Sequence, residues 1–196
     1  MLVPAKLYIK ELTELIGKTI TKPEYKWWHS SYHKIVIEID DNFWSKVQLV
    51  KLNKEGKIVG YYRAMFDRPE NYVESMHCVN FNLKDKMTFA LGLKEFLHYL
   101  IEVLNVPKIK WVMYKGNPIE KSYDKLCKLH GGKIIGDEDY AVLIGNEMIG
   151  SKTYQWLNTK WICSNCGSTK RKILWLECDK CKSGVMKCKN PFGNNI

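Results

Sequence analysis

The feature that most limits this chain is a pair of cysteine pairs. In CSNCGSTKRKILWLECDKC, Cys163-x2-Cys166 stands eleven residues before Cys178-x2-Cys181. Two residues between thiolates let one tight turn present both sulfurs to one ion. Two such turns complete a tetrahedral S4 site, the usual arrangement of structural zinc. The intervening STKRKILWLE has strand character, with Ile173, Trp175 and Leu176 available for packing. So short a segment buries little, and a metal staple compensates for the missing core. A redox role is disfavoured, because neither pair opens a helix after a strand.

A β-hairpin with a cysteine knuckle at each end resembles a zinc ribbon. Cys188 stands beside it as an alternative ligand or a free thiol. Residues 151–196 carry nine basic and two acidic side chains, +7 of the chain's net +10. Four thiolates on Zn²⁺ leave about −2, so the ribbon stays near +5, by rough count. A basic appendage reads as a surface for nucleic acid or an acidic protein partner; a solvated lysine-rich face is the competing reading. Seven cysteines, an odd count, argue against a disulfide framework. The opening Met-Leu-Val-Pro-Ala-Lys lacks a signal-peptide pattern, and the apolar runs are too broken for a membrane span. A cytoplasmic location is expected. The length, 196 residues, suits a main domain, expected over 1–150, and a basic zinc-ribbon domain over 151–196. The stretch Ser151–Lys160, with Tyr154 and Trp156, is expected to be a short docked connection.

Along the main domain, Tyr8, Leu12, Leu15 and Ile16 share a face at helical spacing over residues 5–16, and Gly17 is expected to end that helix. KIVIEID (34–40) alternates as a strand. Strands at 45–53 and 57–67 flank Lys54-Glu55-Gly56, a hairpin turn, and a further strand spans 72–81. Residues 88–104 carry a broad apolar stripe with Thr88 as the expected cap. KIKWVMY (108–114) is a short strand. The chain then turns at Gly116-Asn117-Pro118 into a helix that reaches about His130 and stops at Gly131-Gly132. KIIG and YAVLIG are expected to close the domain as a hairpin. His29 and His33 share a face if helical, but no third metal ligand accompanies them. With Trp27, Trp28 and Tyr32 they read as packing or substrate-contact residues. Cys78 and Cys127 read as core thiols.

The resulting α+β order, β-β-β-β-α-β-α-β-β, resembles the GCN5-related N-acetyltransferase (GNAT) fold over residues 34–145 or so. The most specific part is a strand, then Asn117 at the corner, Tyr123 on the helix, and Gly131-Gly132 before the closing strands. The resemblance implies that strands 72–81 and 108–114 splay apart and hold acyl-coenzyme A, such as acetyl-CoA, in the gap. Splayed strands have unpaired peptide groups. The resemblance places the pantetheine arm against Cys78 and Val79, with Asn117 at the corner. It makes Tyr123 the acid for the departing thiolate and Glu74 or His77 the base for the acceptor amine. By plain alternation those two fall on opposite faces. The family's glycine-rich pyrophosphate loop corresponds here to NFNLKDKMTFA (80–90), which has no glycine. Lys84, Lys86 and the helix start at Thr88 are the substitutes for it.

Two functions of different class follow. One is an N-acyltransferase acting on a macromolecular or small amine, including DNA-base-modifying relatives of the fold. The other is a non-catalytic scaffold whose ribbon contacts nucleic acid or protein.

Overall fold

The computed structural model describes residues 1–20, 22–28, 39, 44–129, 131–157, 161–170, 178, 180–182 and 186–188. Its frame is a seven-stranded sheet. A short edge strand, β1 (Leu2–Pro4), pairs with β2 (Lys46–Leu52), which begins a meander through β3 (Ile58–Asp67) and β4 (Tyr72–Asn80). Gly56, at φ +79°, makes the turn from β2 to β3, a conformation that costs glycine little. α2 (Lys86–His98), prolonged by a π turn over Tyr99–Val103, crosses from β4 to β5 (Lys108–Tyr114); α1 (Ile9–Ile20) lies earlier, between β1 and β2. α3 (Glu120–Leu129) follows β5, and a hairpin of β6 (Lys133–Ile144) and β7 (Glu147–Leu157) turns at Gly145. The sheet order is β1-β2-β3-β4-β5-β7-β6. Every neighbouring pair is antiparallel except β4 and β5.

Alternation sends side chains to two cores. On one face Tyr62, Ala64, Met76, Ile109, Trp111, Tyr154 and Trp156 pack under α2 and α3. On the other, Val50, Tyr61 and Val79 pack under Leu12 and Ile16 of α1. Trp111 stacks on Tyr154 at 4.9 Å and meets the edge of Trp156 at 4.8 Å. A smaller sheet, in the order β10-β8-β9, joins β8 (Trp161–Cys163), β9 (Thr169–Lys170) and β10 (Met186–Cys188).

The structure corrects several expectations. The first strand is Leu2–Pro4, so a helix follows it and lies before β2. The strand expected at 34–40 lies outside the described residues apart from Ile39, as do His29, Tyr32, His33 and the ribbon residues 171–177. Gly17 does not end the first helix, which runs to Ile20. The buried stripe of Leu12, Ile16 and Thr19 continues past it, and tertiary burial outweighs the glycine penalty of about 1 kcal/mol. Thr88 is not the cap of α2; Asp85 is, its Oδ1 accepting from Thr88 N at 3.0 Å. KIIG and YAVLIG are parts of one strand, β6, rather than two. Register shifts at Ile134/Gly136 and Glu138/Val142 let the strand absorb the polar Asp-Glu-Asp segment. Its hairpin partner is β7, so the sheet extends to Leu157, past the expected boundary at 150, and Tyr154 and Trp156 are sheet residues.

Candidate active site and candidate metal centre

β4 and β5 touch at one register pair, Val73↔Ile109. β5 follows β7 along its whole length, from Lys108↔Leu157 to Tyr114↔Ser151. β4 follows β3 and is bulged against it: Val73 faces Phe66 and Ser75 faces Met65, which leaves Glu74 as the extra residue. A bulge bends its strand and increases its twist. Each strand thus keeps to its other neighbour, and beyond Val73 the two separate. The facing peptide groups of β4 and β5 are left open to a guest that can bond like a strand.

The corner after β5 closes one end of this gap. Gly116, at φ +81°, makes the turn that follows Tyr114. Its N–H donates to Glu120 Oε2 at 2.7 Å, and Asn117 Oδ1 accepts from Ile119 N at 3.1 Å. Asn117 therefore fastens the entry to α3; its backbone N–H donates to Tyr114 O at 3.3 Å, and its side-chain Nδ2 group has no partner among the described residues. A Cβ on Gly116 would sit 3.3 Å from the ring of Trp27, so Trp27 lies over the corner.

α3 brings Tyr123 beneath the gap, 7% exposed, against the stacked pair of Trp111 and Tyr154. Burial, with the Cys78 thiol and Tyr154 nearby, holds its pKa well above the usual phenol value. Burial likewise raises the Cys78 thiol, so both groups keep their protons at neutral pH. α3 is clamped by ion pairs from Lys152 to Glu120 (2.6 Å) and Asp124 (3.1 Å), and Tyr154 Oη donates to Asp124 at 2.6 Å. Sequence reasoning missed this clamp because 151–160 was assigned to a connection. The signal was the period-2 spacing of Lys152, Tyr154 and Trp156.

Glu74 and His77 are exposed on β4. The bulge interrupts alternation between them, so they are not forced onto opposite faces as plain alternation would have it. Part of the His77 ring reaches solvent, but the protein atoms packed around the rest desolvate it and neighbouring Arg63 opposes its charge, which lowers its pKa to about 4. Val79 turns away from Tyr123 into the α1 core. Lys84 and Lys86 flank the start of α2 and are exposed. The Thr88 N–H at that start is committed to Asp85, a carboxylate where the resemblance called for phosphate.

The four cysteines converge. All Sγ atoms of Cys163, Cys166, Cys178 and Cys181 lie within 4.8 Å of one another. Cys163 and Cys181 are 3.6 Å apart and Cys166 and Cys178 3.7 Å. A tetrahedron with metal–sulfur bonds of about 2.3 Å has edges of about 3.8 Å. The two knuckles are built alike. Gly167 (φ +66°) donates its N–H to Cys163 O at 3.1 Å, and Lys182 (φ +56°) donates to Cys178 O at 2.8 Å. Asn165 N and Cys166 N point at Cys163 Sγ at 3.3 and 3.4 Å. The set can hold a metal ion, and its all-sulfur character suits a soft tetrahedral one.

Strand order, the parted parallel pair and the helix placement are together those of the GNAT fold. Among solved structures, the chain is similar to spermidine N-acetyltransferase from Vibrio cholerae in complex with CoA and spermine. The TM-score is 0.64 at 15% identity, over 80% of this chain and 94% of that one. A point mutant of the Vibrio cholerae enzyme aligns with a TM-score of 0.60 at 13% identity, again over 80% and 94%. A chimera of the Vibrio cholerae enzyme and hSSAT aligns at 0.51 and 16% identity, over 60% of this chain and 68% of that one. No family model matches the chain, and no curated protein matches its sequence. No described helix is long and apolar enough to cross a membrane.

Proposed function

We propose that the chain is an acyl-CoA-dependent N-acyltransferase acting on an amine. The observation that carries this reading is the single bridge between β4 and β5. The pantetheine arm is a chain of amides, and the open peptide groups at Cys78 and along β5 are its natural partners; those of Val79, opposite Tyr61, turn instead to β3. Asn117 would bond the arm at the corner through its unpartnered amide. When bound, the coenzyme supplies an activated acyl thioester. Tyr123, protonated at neutral pH by burial, holds the proton that a departing thiolate needs. His77 is neutral at pH 7 and has a nitrogen free to accept the acceptor amine's proton; Glu74, set out by the bulge, is the other acceptor. Lys84 and Lys86 would offset pyrophosphate charge. The neighbouring folds are spermidine N-acetyltransferases, which supports an amine as acceptor.

The cysteine set is a structural zinc centre in this reading, with all four thiolates as ligands and no open position for chemistry. Its basic segment would recruit an acidic acceptor or a nucleic acid.

A second reading rests on Asp85. Its carboxylate occupies the start of α2 and opposes pyrophosphate there. That favours a scaffold without coenzyme, whose basic tail contacts nucleic acid or an acidic protein. Coenzyme A binding decides between the two. At about 100 times its Kd, CoA should add about 2.7 kcal/mol and raise the Tm by several degrees; no shift at millimolar CoA selects the scaffold. Tyr123→Phe should leave CoA binding intact and lower kcat by about 10²-fold, followed as release of free CoA thiol with an amine panel. Unchanged turnover would remove Tyr123 from the mechanism.

A further inference from the structure

The face of the sheet turned away from Tyr123 carries a row of polar side chains that runs across β2 and β3 to the lip of the gap on β4. Gln48, Arg63 and His77 are cross-strand partners on β2, β3 and β4. They lie one row along from Val50, Tyr61 and Val79, which are covered by α1. His77 stands four residues past the last bridge to β5, where the two strands have parted. Arg63 is unusual in this setting. Its Nε is buried without a hydrogen-bond partner, and no carboxylate pairs with its guanidinium among the described residues. A buried donor on a charged group left unpaired costs stability, and proteins seldom retain one without a ligand to satisfy it. On the neighbouring strand, Lys108 and Lys110 alternate with the buried Ile109 and Trp111 and so face the same side. They sit 3.6 and 5.0 Å from the ring centre of Tyr72. Asp67, Glu70 and Glu74 also stand around Tyr72, so charge is mixed near the bridge, and among the described residues the unpaired cation of this face is Arg63.

We infer that Arg63, with His77 beside it, is an anion-recognition point that selects an acceptor whose amine is carried on a molecule bearing a carboxylate or phosphate. Guanidinium presents paired N–H donors that match either group, and neutral His77 adds one N–H donor. An anion there would also relieve the repulsion between Arg63 and a protonated His77, so binding should raise the His77 pKa from about 4.

The role in acceptor selection rests on the transferase reading; the binding of an anion does not, and it is tested without coenzyme. The His77 ring resonances of the full-length protein are followed by NMR while inorganic phosphate and, separately, acetate are added at constant ionic strength. A saturable shift with either anion, weakened at least tenfold in Arg63→Gln and partly restored in Arg63→Lys, is expected. Phosphate alone or acetate alone producing it identifies the group. A linear response to both anions, or an equal response in Arg63→Gln, overturns the inference, and the wild-type titration decides even if a variant fails to fold. In turnover with acetyl-CoA, an amine bearing the identified group should show at least tenfold higher kcat/KM than spermidine. Arg63→Gln should abolish that preference through KM. Anion binding without CoA binding would sink the transferase reading alone; CoA binding without anion binding would sink this one alone.

Discussion

Gly132 shows how little room the α3–β6 junction leaves. A Cβ there would lie 2.0 Å from Trp156 Cδ1 and 2.7 Å from Cys127 Sγ, and both neighbours are buried. Trp156 cannot yield without disturbing its contact with Trp111. Gly132→Ala should therefore cost about 1–3 kcal/mol or more. Gly17 is the opposite case: a Cβ meets nothing within 4 Å, and the residue is interior to α1. Gly17→Ala should stabilise by about 0.5–1 kcal/mol. Urea unfolding of the two variants checks both signs, and equal effects would mean the junction is looser than described. His77 offers a pH test at the same scale. Its folded pKa, about 4, lies below the ordinary 6.5. Between those values the unfolded chain binds a proton that the folded chain refuses, so stability falls as pH drops from 6.5 to 4 and this contribution levels off below. His77→Gln should flatten that part of the profile in unfolding experiments run across the pH range; an unaltered slope would assign the loss to other groups.

At the scale of elements, the parted strands make a prediction of their own. Peptide groups of β4 and β5 that face the gap lack a partner strand beyond Val73 and Ile109, whereas those between β3 and β4 are paired. Gap-facing amides of Cys78 and Val112 should exchange hydrogen faster than those of Val79, Tyr61 and Tyr62 and should slow on adding CoA. Uniform protection without ligand would mean the strands are zipped. Much of this arrangement was legible beforehand. β5 has the bounds read for the short run KIKWVMY, and the Gly-Asn-Pro turn and Gly-Gly stop frame α3 as turn chemistry requires. Three features were not legible. β1 has three residues and ends in Pro4, too short for periodicity and tolerable only because it lies at an edge. β7 does not read as a strand because Ser151–Lys160 reads as the connection between the two parts, and its identity rests on pairing with β5 and β6. Its partner β6 is an exposed edge strand interrupted by Asp-Glu-Asp, and only pairing reveals it as one element. The β4 bulge is a register property, which no single strand's sequence displays.

For the molecule as a whole, the cysteine cluster is not an isolated appendage. Cys163 and Cys178 are buried and belong to the same apolar cluster as Trp111, Tyr123 and Trp156. The knuckle turns place positive φ at Gly167 and Lys182, the latter a conformation a lysine adopts at some cost. Without an ion, four sulfurs crowded within 4.8 Å have no common partner to hold them. Binding free energy at such a site is folding free energy, and here its loss should reach the sheet. A strong zinc chelator should release about one metal ion per chain and abolish the knuckles. It should also lower the Tm of the main unfolding transition by several degrees, corresponding to roughly 1–2 kcal/mol. Cys178→Ser should reproduce the drop without chelator, because a hydroxyl is a poor replacement for a thiolate ligand. If chelation removed the ion and left the main transition in place, the cluster would be energetically separate from the sheet, and its shared burial with Tyr123 would carry no stability.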